Sequence, residues 1–98
     1  MNIKSSQSGA ALELALEGRL DTKTAPQLEA ELKTALSGVE DLTFDLEKLE
    51  YISSAGLRVL LSAQKIMNRQ GAMKVIHAND MILEIFEVTG FADVLTLE

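Results

Sequence analysis

Apolar residues in this chain recur at two different spacings, and the two spacings take turns along it. Leu12, Leu14 and Leu16 alternate with polar neighbours, the period of a strand with one buried face. Ala25, Leu28, Leu32, Ala35 and Val39 then recur at steps of three and four, which gathers them on one side of a helix. Leu42, Phe44 and Leu46 return to period two. Leu57, Leu60, Ala63 and Met67, flanked by Val59 and Ile66, return to the helical period. Met73–Ala78 reads as a largely buried strand, and Met81, Ile82, Ile85, Phe86 and Val88 as the apolar side of a third helix. Val94–Leu97 reads as a last short strand. A first strand around Asn2–Ser5 joins the second through the turn signal Gln7-Ser8-Gly9. The order is β-β-α-β-α-β-α-β, and alternation after an opening hairpin implies parallel strands joined by right-handed crossovers. The expected fold is α/β, a mixed sheet of four to five strands with the helices packed on one face.

Local signals mark the boundaries. Gly18-Arg19-Leu20-Asp21 breaks the second strand. Thr24 with Gln27 suits a capping box, with Pro26 tolerated in the first turn, while Asp21 and Thr22 are alternative caps. Gly38 ends this helix. A loop carrying Leu49, Tyr51 and Ile52 leads to Ser53-Ser54-Ala55-Gly56, where the second helix opens, and Gln70-Gly71 stops it. Arg58, Ser62, Lys65 and Arg69 line its polar side. Asn79 or Asp80 caps the third helix, which ends near Gly90. With one Pro, no repeat and no linker-like stretch, residues 1–98 are expected to form one domain.

Composition narrows the function. A hydrophobic share of 47% with 24% charged residues fits a packed domain. The net charge of −6 counts against binding nucleic acid through its phosphates, and against docking on an anionic membrane. No apolar stretch approaches the ~20 residues that cross a bilayer, so no membrane insertion is expected. The start, Met1-Asn2-Ile3-Lys4-Ser5-Ser6-Gln7, lacks a signal peptide's apolar run. The absence of Cys removes disulfides, thiolate metal sites and a cysteine nucleophile, and is compatible with the cytoplasm.

Enzymatic constellations are missing too. His77 is the single histidine, placed at the end of an apolar strand as a packed or edge residue. A serine nucleophile elbow needs Gly two residues either side of the serine; Gly56 follows Ser54, but Ile52 precedes it. Asp45 sits in a strand as a phospho-accepting aspartate would, yet Asp21 has no acidic neighbour and no Lys follows Lys74. No Gly-rich phosphate loop with Lys and no metal-ligand spacing occurs, so neither metal nor cofactor is expected.

Ser53-Ser54-Ala55-Gly56 is more informative. A serine here caps a helix, and a hydroxyl at a helix N-terminus is also well placed to carry a phosphate. Spacing alone leaves both readings open. The stretch from Phe44 through Ser53-Ser54-Ala55-Gly56-Leu57-Arg58 to Leu61 resembles the signature of STAS domains, and more narrowly of bacterial anti-sigma factor antagonists. Gly18-Arg19-Leu20-Asp21 resembles the family's Gly-x-Leu-Asp element, and Thr89-Gly90-Phe91 its late glycine. Ser53 stands where the family has Asp, and Ala55 where it has a second Ser or Thr.

The resemblance implies a partner-switching protein that is not itself an enzyme. Unmodified, such a protein binds an anti-sigma factor that is also a serine/threonine kinase. The kinase phosphorylates it with Mg-ATP and a PP2C-type phosphatase reverses the step. The family's phosphoserine maps onto Ser54, with Ser53 as the alternative. The implied partner surface comprises Asp21, Thr22, Thr24, Ser53, Ser54, Gly56 and Arg58, since turns after parallel strands gather at the sheet's carboxyl edge. The free protein is expected to be a monomer. The other role open to STAS-like chains is that of a structural subunit in a membrane lipid-transport complex or larger signalling assembly.

Overall fold

Segments of period two become strands and segments of helical period become helices in the computed structural model, which describes every residue from Met1 to Glu98. The elements are β1 (Asn2–Ser8), β2 (Ala11–Leu20), α1 (Ala25–Ala35), β3 (Asp41–Ile52), α2 (Ser54–Gln70), β4 (Ala72–Ile76) and α3 (Asp80–Thr89). One sheet runs in the order β1-β2-β3-β4, with β1 antiparallel to β2 and the remaining pairs parallel. Because the order advances without reversal, crossovers of one hand put α1 and α2 on the same face. That face carries Leu12, Leu14, Leu16, Leu42, Phe44, Leu46, Met73 and Val75, which join Leu28, Leu32, Leu60, Met67, Ile82 and Phe86 in one core. The intervening residues of the strands, among them Glu13, Asp45 and Lys74, look out from the uncovered face.

Two expectations about strands need correction. Leu49, Tyr51 and Ile52 lie in β3 rather than in a loop. Leu46, Leu49 and Ile52 are all buried although they stand three apart, a spacing that would turn every second one toward solvent in a regular strand. Register shifts against β2 between Ala15 and Glu17, and again between Gly18 and Arg19, each insert one extra residue into β3 and reset the alternation. Gly18, which looked like a strand breaker, stays within β2 at φ +100°. The second correction concerns Val94–Leu97. It contributes one parallel bridge, Leu97 to Val75, after a 3₁₀ turn at Phe91–Asp93, so the sheet has four strands. β4 is five residues long, and Val75 alone bonds the tail through its N–H and C=O.

The helices differ in smaller ways. α1 stops at Ala35, and Leu36 rather than Ala35 completes its buried row; Val39 is buried in the turn that follows. Ser53 caps α2 and Asn79 caps α3, each accepting a backbone N–H from three residues on. The apolar side of α3 is narrower than its sequence suggests. Ile82 and Phe86 are buried, whereas Met81 and Val88 are exposed. α1 and α2 pack against one another over the sheet, and α3 packs on β3 and on the 3₁₀ turn at Phe91–Asp93, so less of its surface is covered. No helix is long and apolar enough to cross a membrane.

Candidate functional site

β2 and β3 finish side by side, with Leu20 opposite Ile52, and the Ser53 N–H donates to the Leu20 carbonyl at 2.9 Å. That bond ties the turn after β2 to the turn after β3. Gly56 makes the closeness possible. A Cβ at this position would lie 2.7 Å from Leu20 Cγ and 2.9 Å from both the Leu20 carbonyl oxygen and Ile52 Cγ1. Glycine therefore lets the first turn of α2 settle directly on the end of β2.

The turn after β2 is organised by Asp21 and Thr24. Asp21 Oδ1 accepts the N–H groups of Lys23 at 3.0 Å and Thr24 at 3.1 Å, and the Asp21 carbonyl accepts from Ala25 at 2.8 Å. Thr24 Oγ1 accepts the Asp21 N–H at 2.9 Å and donates to the Arg19 carbonyl at 2.8 Å. The expected capping box is absent, because Gln27 reaches the Met1 carbonyl instead. Of the three candidate caps, Asp21 fixes the turn and Thr24 occupies the N-cap position without a side-chain cap bond. The Thr24 backbone N–H holds the Asp21 carboxyl below its usual pKa; the Lys23 N–H, the Thr24 hydroxyl and the Arg19 charge act in the same direction against some desolvation.

The two serines are in different situations. Ser53 Oγ is half-buried and accepts the Gly56 N–H at 3.4 Å, a long capping bond. Ser54, the first residue of α2, is exposed and its hydroxyl has no partner in the chain. One turn on, Arg58 is exposed on the wall of an open groove of about 400 Å³ between α1 and α2. Thr22, Pro26 and Glu29 line the opposite side of that groove, with Ala55 and Ser62 beside Arg58. Asp21, Thr22, Thr24, Ser53, Ser54, Gly56 and Arg58 thus lie together at the carboxyl edge of the sheet. Gly56 is buried there and acts through backbone fit.

Two features escaped the sequence reading. Arg19 lies over the Tyr51 ring, 4.4 Å from its centre, with its Nε 3.9 Å from Asp21 Oδ2. Their pairing across β2 and β3 depends on the second bulge, which sequence periodicity does not mark. On the uncovered sheet face, His77 Nδ1 lies 2.9 Å from Asp45 Oδ1, two residues 32 apart in the chain. This hydrogen bond raises the His77 pKa; the charges of Asp45, Glu47 and Glu13 add to it and desolvation opposes it. His77 follows β4 instead of ending it, with a φ of +61° in the left-handed region. Asp45, Glu47 and His77 hold their ligand-type atoms within 4.8 Å of one another, a grouping that spacing along the chain did not reveal.

A four-stranded mixed sheet covered on one face, with a serine-opened helix beside an aspartate turn, is the arrangement that the resemblance to STAS domains implies. The comparisons agree. Residues 3–97 match the family described as Mlab, STAS domain, and the chain belongs to the STAS domain family. More particularly, its relatives include anti-sigma factor antagonists. A Bordetella bronchiseptica protein assigned to that role, BtrV, is 40% identical over 81 residues, 81% of this chain and 70% of its own. The anti-sigma-B factor antagonist of Staphylococcus aureus is 30% identical over 98 residues, covering 97% of this chain and 90% of that protein. The fold is also that of the anti-sigma factor antagonist SpoIIAA in its unphosphorylated form, with a TM-score of 0.79 at 17% identity over 99% of this chain and 87% of that one. The phosphorylated form of the Bacillus SpoIIAA superposes with a TM-score of 0.77 at 17% identity over 99% and 91%.

Proposed function

We propose that this chain is an anti-sigma factor antagonist that acts as a phospho-switched binding module and performs no catalysis of its own. The observation that carries the reading is the exposed, unbonded hydroxyl of Ser54 at the start of α2, set beside the Asp21 turn in a STAS fold. In the unmodified state the carboxyl-edge surface binds an anti-sigma factor serine/threonine kinase, and the sigma factor is released. The kinase then transfers the γ-phosphoryl group of Mg-ATP to Ser54 Oγ; the hydroxyl proton is lost and ADP leaves. A PP2C-type phosphatase hydrolyses the phosphoester and restores the serine. ATP and metal belong to those partners, so the chain needs no cofactor. It works as a cytoplasmic monomer, without nucleic acid or membrane insertion.

Ser54 is favoured over Ser53 because their hydroxyls differ in engagement. Modifying Ser53 would disturb a helix cap, a contact typically worth ~1 kcal/mol, whereas Ser54 has no bond to lose. The phosphate at Ser54 gains about 0.3–1 kcal/mol from the helix dipole, so the switch acts on the interface and leaves the fold standing. The test is to incubate wild type, Ser53→Ala and Ser54→Ala with the kinase and Mg-ATP, then locate phosphate by peptide mass spectrometry. Phosphate on wild type and Ser53→Ala, and none on Ser54→Ala, is expected. Phosphate confined to Ser53 moves the site by one residue, and none on any variant, with a kinase that binds, ends the switch reading. Stable co-purification with a transporter ATPase would favour the structural-subunit role instead.

A further inference from the structure

Ser54 and Arg58 stand four residues apart on α2, a helix that continues to Gln70. Residues at this spacing are neighbours on one face, with Cβ atoms about 5–6 Å apart. Helical side chains lean toward the N-terminus, so a long side chain at position 58 covers the turn that begins at Ser54. Both residues are exposed. Arg58 takes no part in the chain's ion pairs, which join Lys4 to Glu17, Arg19 to Asp21 and His77 to Asp45. Arg19, another guanidinium near this edge, is already engaged by Asp21 and the Tyr51 ring. Arg58 is the uncommitted one.

We propose that Arg58 is the internal counter-charge of phosphorylated Ser54, so that modification withdraws the guanidinium from the groove as it adds a dianion to its mouth. The inference rests on Ser54 as the phosphosite and concerns what the phosphate then contacts. A guanidinium presents a planar fork that matches two phosphate oxygens. An anion N-terminal to a cation at this spacing is also the favourable order on a helix. The unmodified groove offers a partner a cation next to a neutral hydroxyl. After modification the phosphate carries about −1.5 to −2 charge, and Arg58 is bound to it. The sign of the charge at the mouth reverses, and one side-chain contact is lost with it. Asp21 and Glu29 face the same region from the turn after β2 and from α1. Both are carboxylates and act to raise the phosphate's pKa, while the N-terminal end of α2 lowers it in every variant, so the difference between wild type and an Arg58 variant reads Arg58.

Phosphoserine is placed at position 54 of the full chain by genetic code expansion, and the phosphate is titrated by ³¹P NMR. The second pKa of a phosphoserine is ordinarily about 6. An opposite charge within ~4–6 Å lowers a pKa by about 1–3 at a shielded site, and less where water screens it. The wild-type phosphate is therefore expected to titrate about 0.5–1 lower than in Arg58→Gln, with Arg58→Lys in between and the differences shrinking in 1 M salt. Coincident titrations of all three proteins, or loss of helical signal on phosphorylation, would overturn the proposal. A kinase that ignores Ser54 would defeat the functional reading and leave this titration readable, because here no kinase installs the phosphate.

Discussion

Replacing Gly56 by Ala sets two well-understood effects against each other. In a helix, Ala is favoured over Gly by about 0.8–1 kcal/mol, so propensity alone makes the variant more stable. At this position the new methyl would lie 2.7 Å from Leu20 Cγ and 2.9 Å from the Leu20 carbonyl oxygen. The leucine side chain can rotate away, but the carbonyl cannot retreat without stretching its 2.9 Å bond from the Ser53 N–H. Overpacking of this kind costs about 1–3 kcal/mol, and the strained bond joins the two turns that form the candidate site. At mid-range the overpacking term is the larger by about 1 kcal/mol, and the variant is expected to be less stable by about that much. For a domain of 60–100 residues, 1 kcal/mol moves Tm by roughly 4–8 °C. Urea unfolding of both proteins, followed by circular dichroism, measures the difference as a shift in midpoint at unchanged slope. Binding of the anti-sigma factor should weaken as well, since the Asp21 turn and Ser54 are displaced relative to one another. A variant more stable than wild type would refute the reasoning, because it would mean that the approach of α2 to β2 is not set by this glycine.

Leu60→Ala, at a fully buried position, should cost about 2–5 kcal/mol, while Val88→Ala, 77% exposed, should stay within ~0.5 kcal/mol; chemical denaturation of both compares the two faces. His77 has a raised pKa, so its pair with Asp45 stabilises fully below the unfolded value of about 6.5 and loses that contribution as pH rises through the folded value. The stability gap between wild type and His77→Ala should therefore be widest near pH 5 and narrow above neutrality; a gap that widens with pH would show the sign to be wrong. Asp21 has a lowered pKa and behaves oppositely, its contribution being present above the unfolded value of about 3.9 and lost as pH falls through the folded value. Asp21→Asn should remove that part of the acid loss, and equal acid profiles would contradict it.

Much of the architecture was legible because burial on a single sheet face leaves a plain periodic record. Leu12, Leu14 and Leu16 alternate as a half-buried strand must, and Leu57, Leu60, Ala63 and Met67 trace the inner side of α2. The end of β3 beyond Leu46 is not legible, because its bulges turn a strand's period of two into steps of three, and nothing local in Leu46, Leu49 and Ile52 separates that from a loop. The exposure of Met81 and Val88 is not legible either, because hydrophobicity records what a helix could bury, not how much sheet remains to receive it. At the candidate site, the residues in the two turns followed from topology, since both turns leave the carboxyl ends of adjacent parallel strands. The different engagement of Ser53 and Ser54, the fit of Gly56 against Leu20 and the Arg19–Tyr51 contact are three-dimensional facts. Asp45 and His77 illustrate the limit most clearly, because a pair 32 residues apart leaves no mark in either local sequence.

The central claim is that a phosphate on Ser54 changes partners without unfolding the chain. The direct measurement is the affinity of the anti-sigma factor, recovered by pull-down with and without Mg-ATP, for the unmodified chain and for the chain phosphorylated at Ser54. Even with Arg58 beside it, a phosphate of about −1.5 to −2 keeps excess negative charge; enclosing charge left without a partner in an interface costs about 3–5 kcal/mol, and each 1.4 kcal/mol is tenfold in Kd. The phosphorylated chain is therefore expected to bind two to three orders of magnitude more weakly, with its circular dichroism spectrum unchanged. Equal affinity of the two forms, or a loss of binding that coincides with unfolding, would contradict the account.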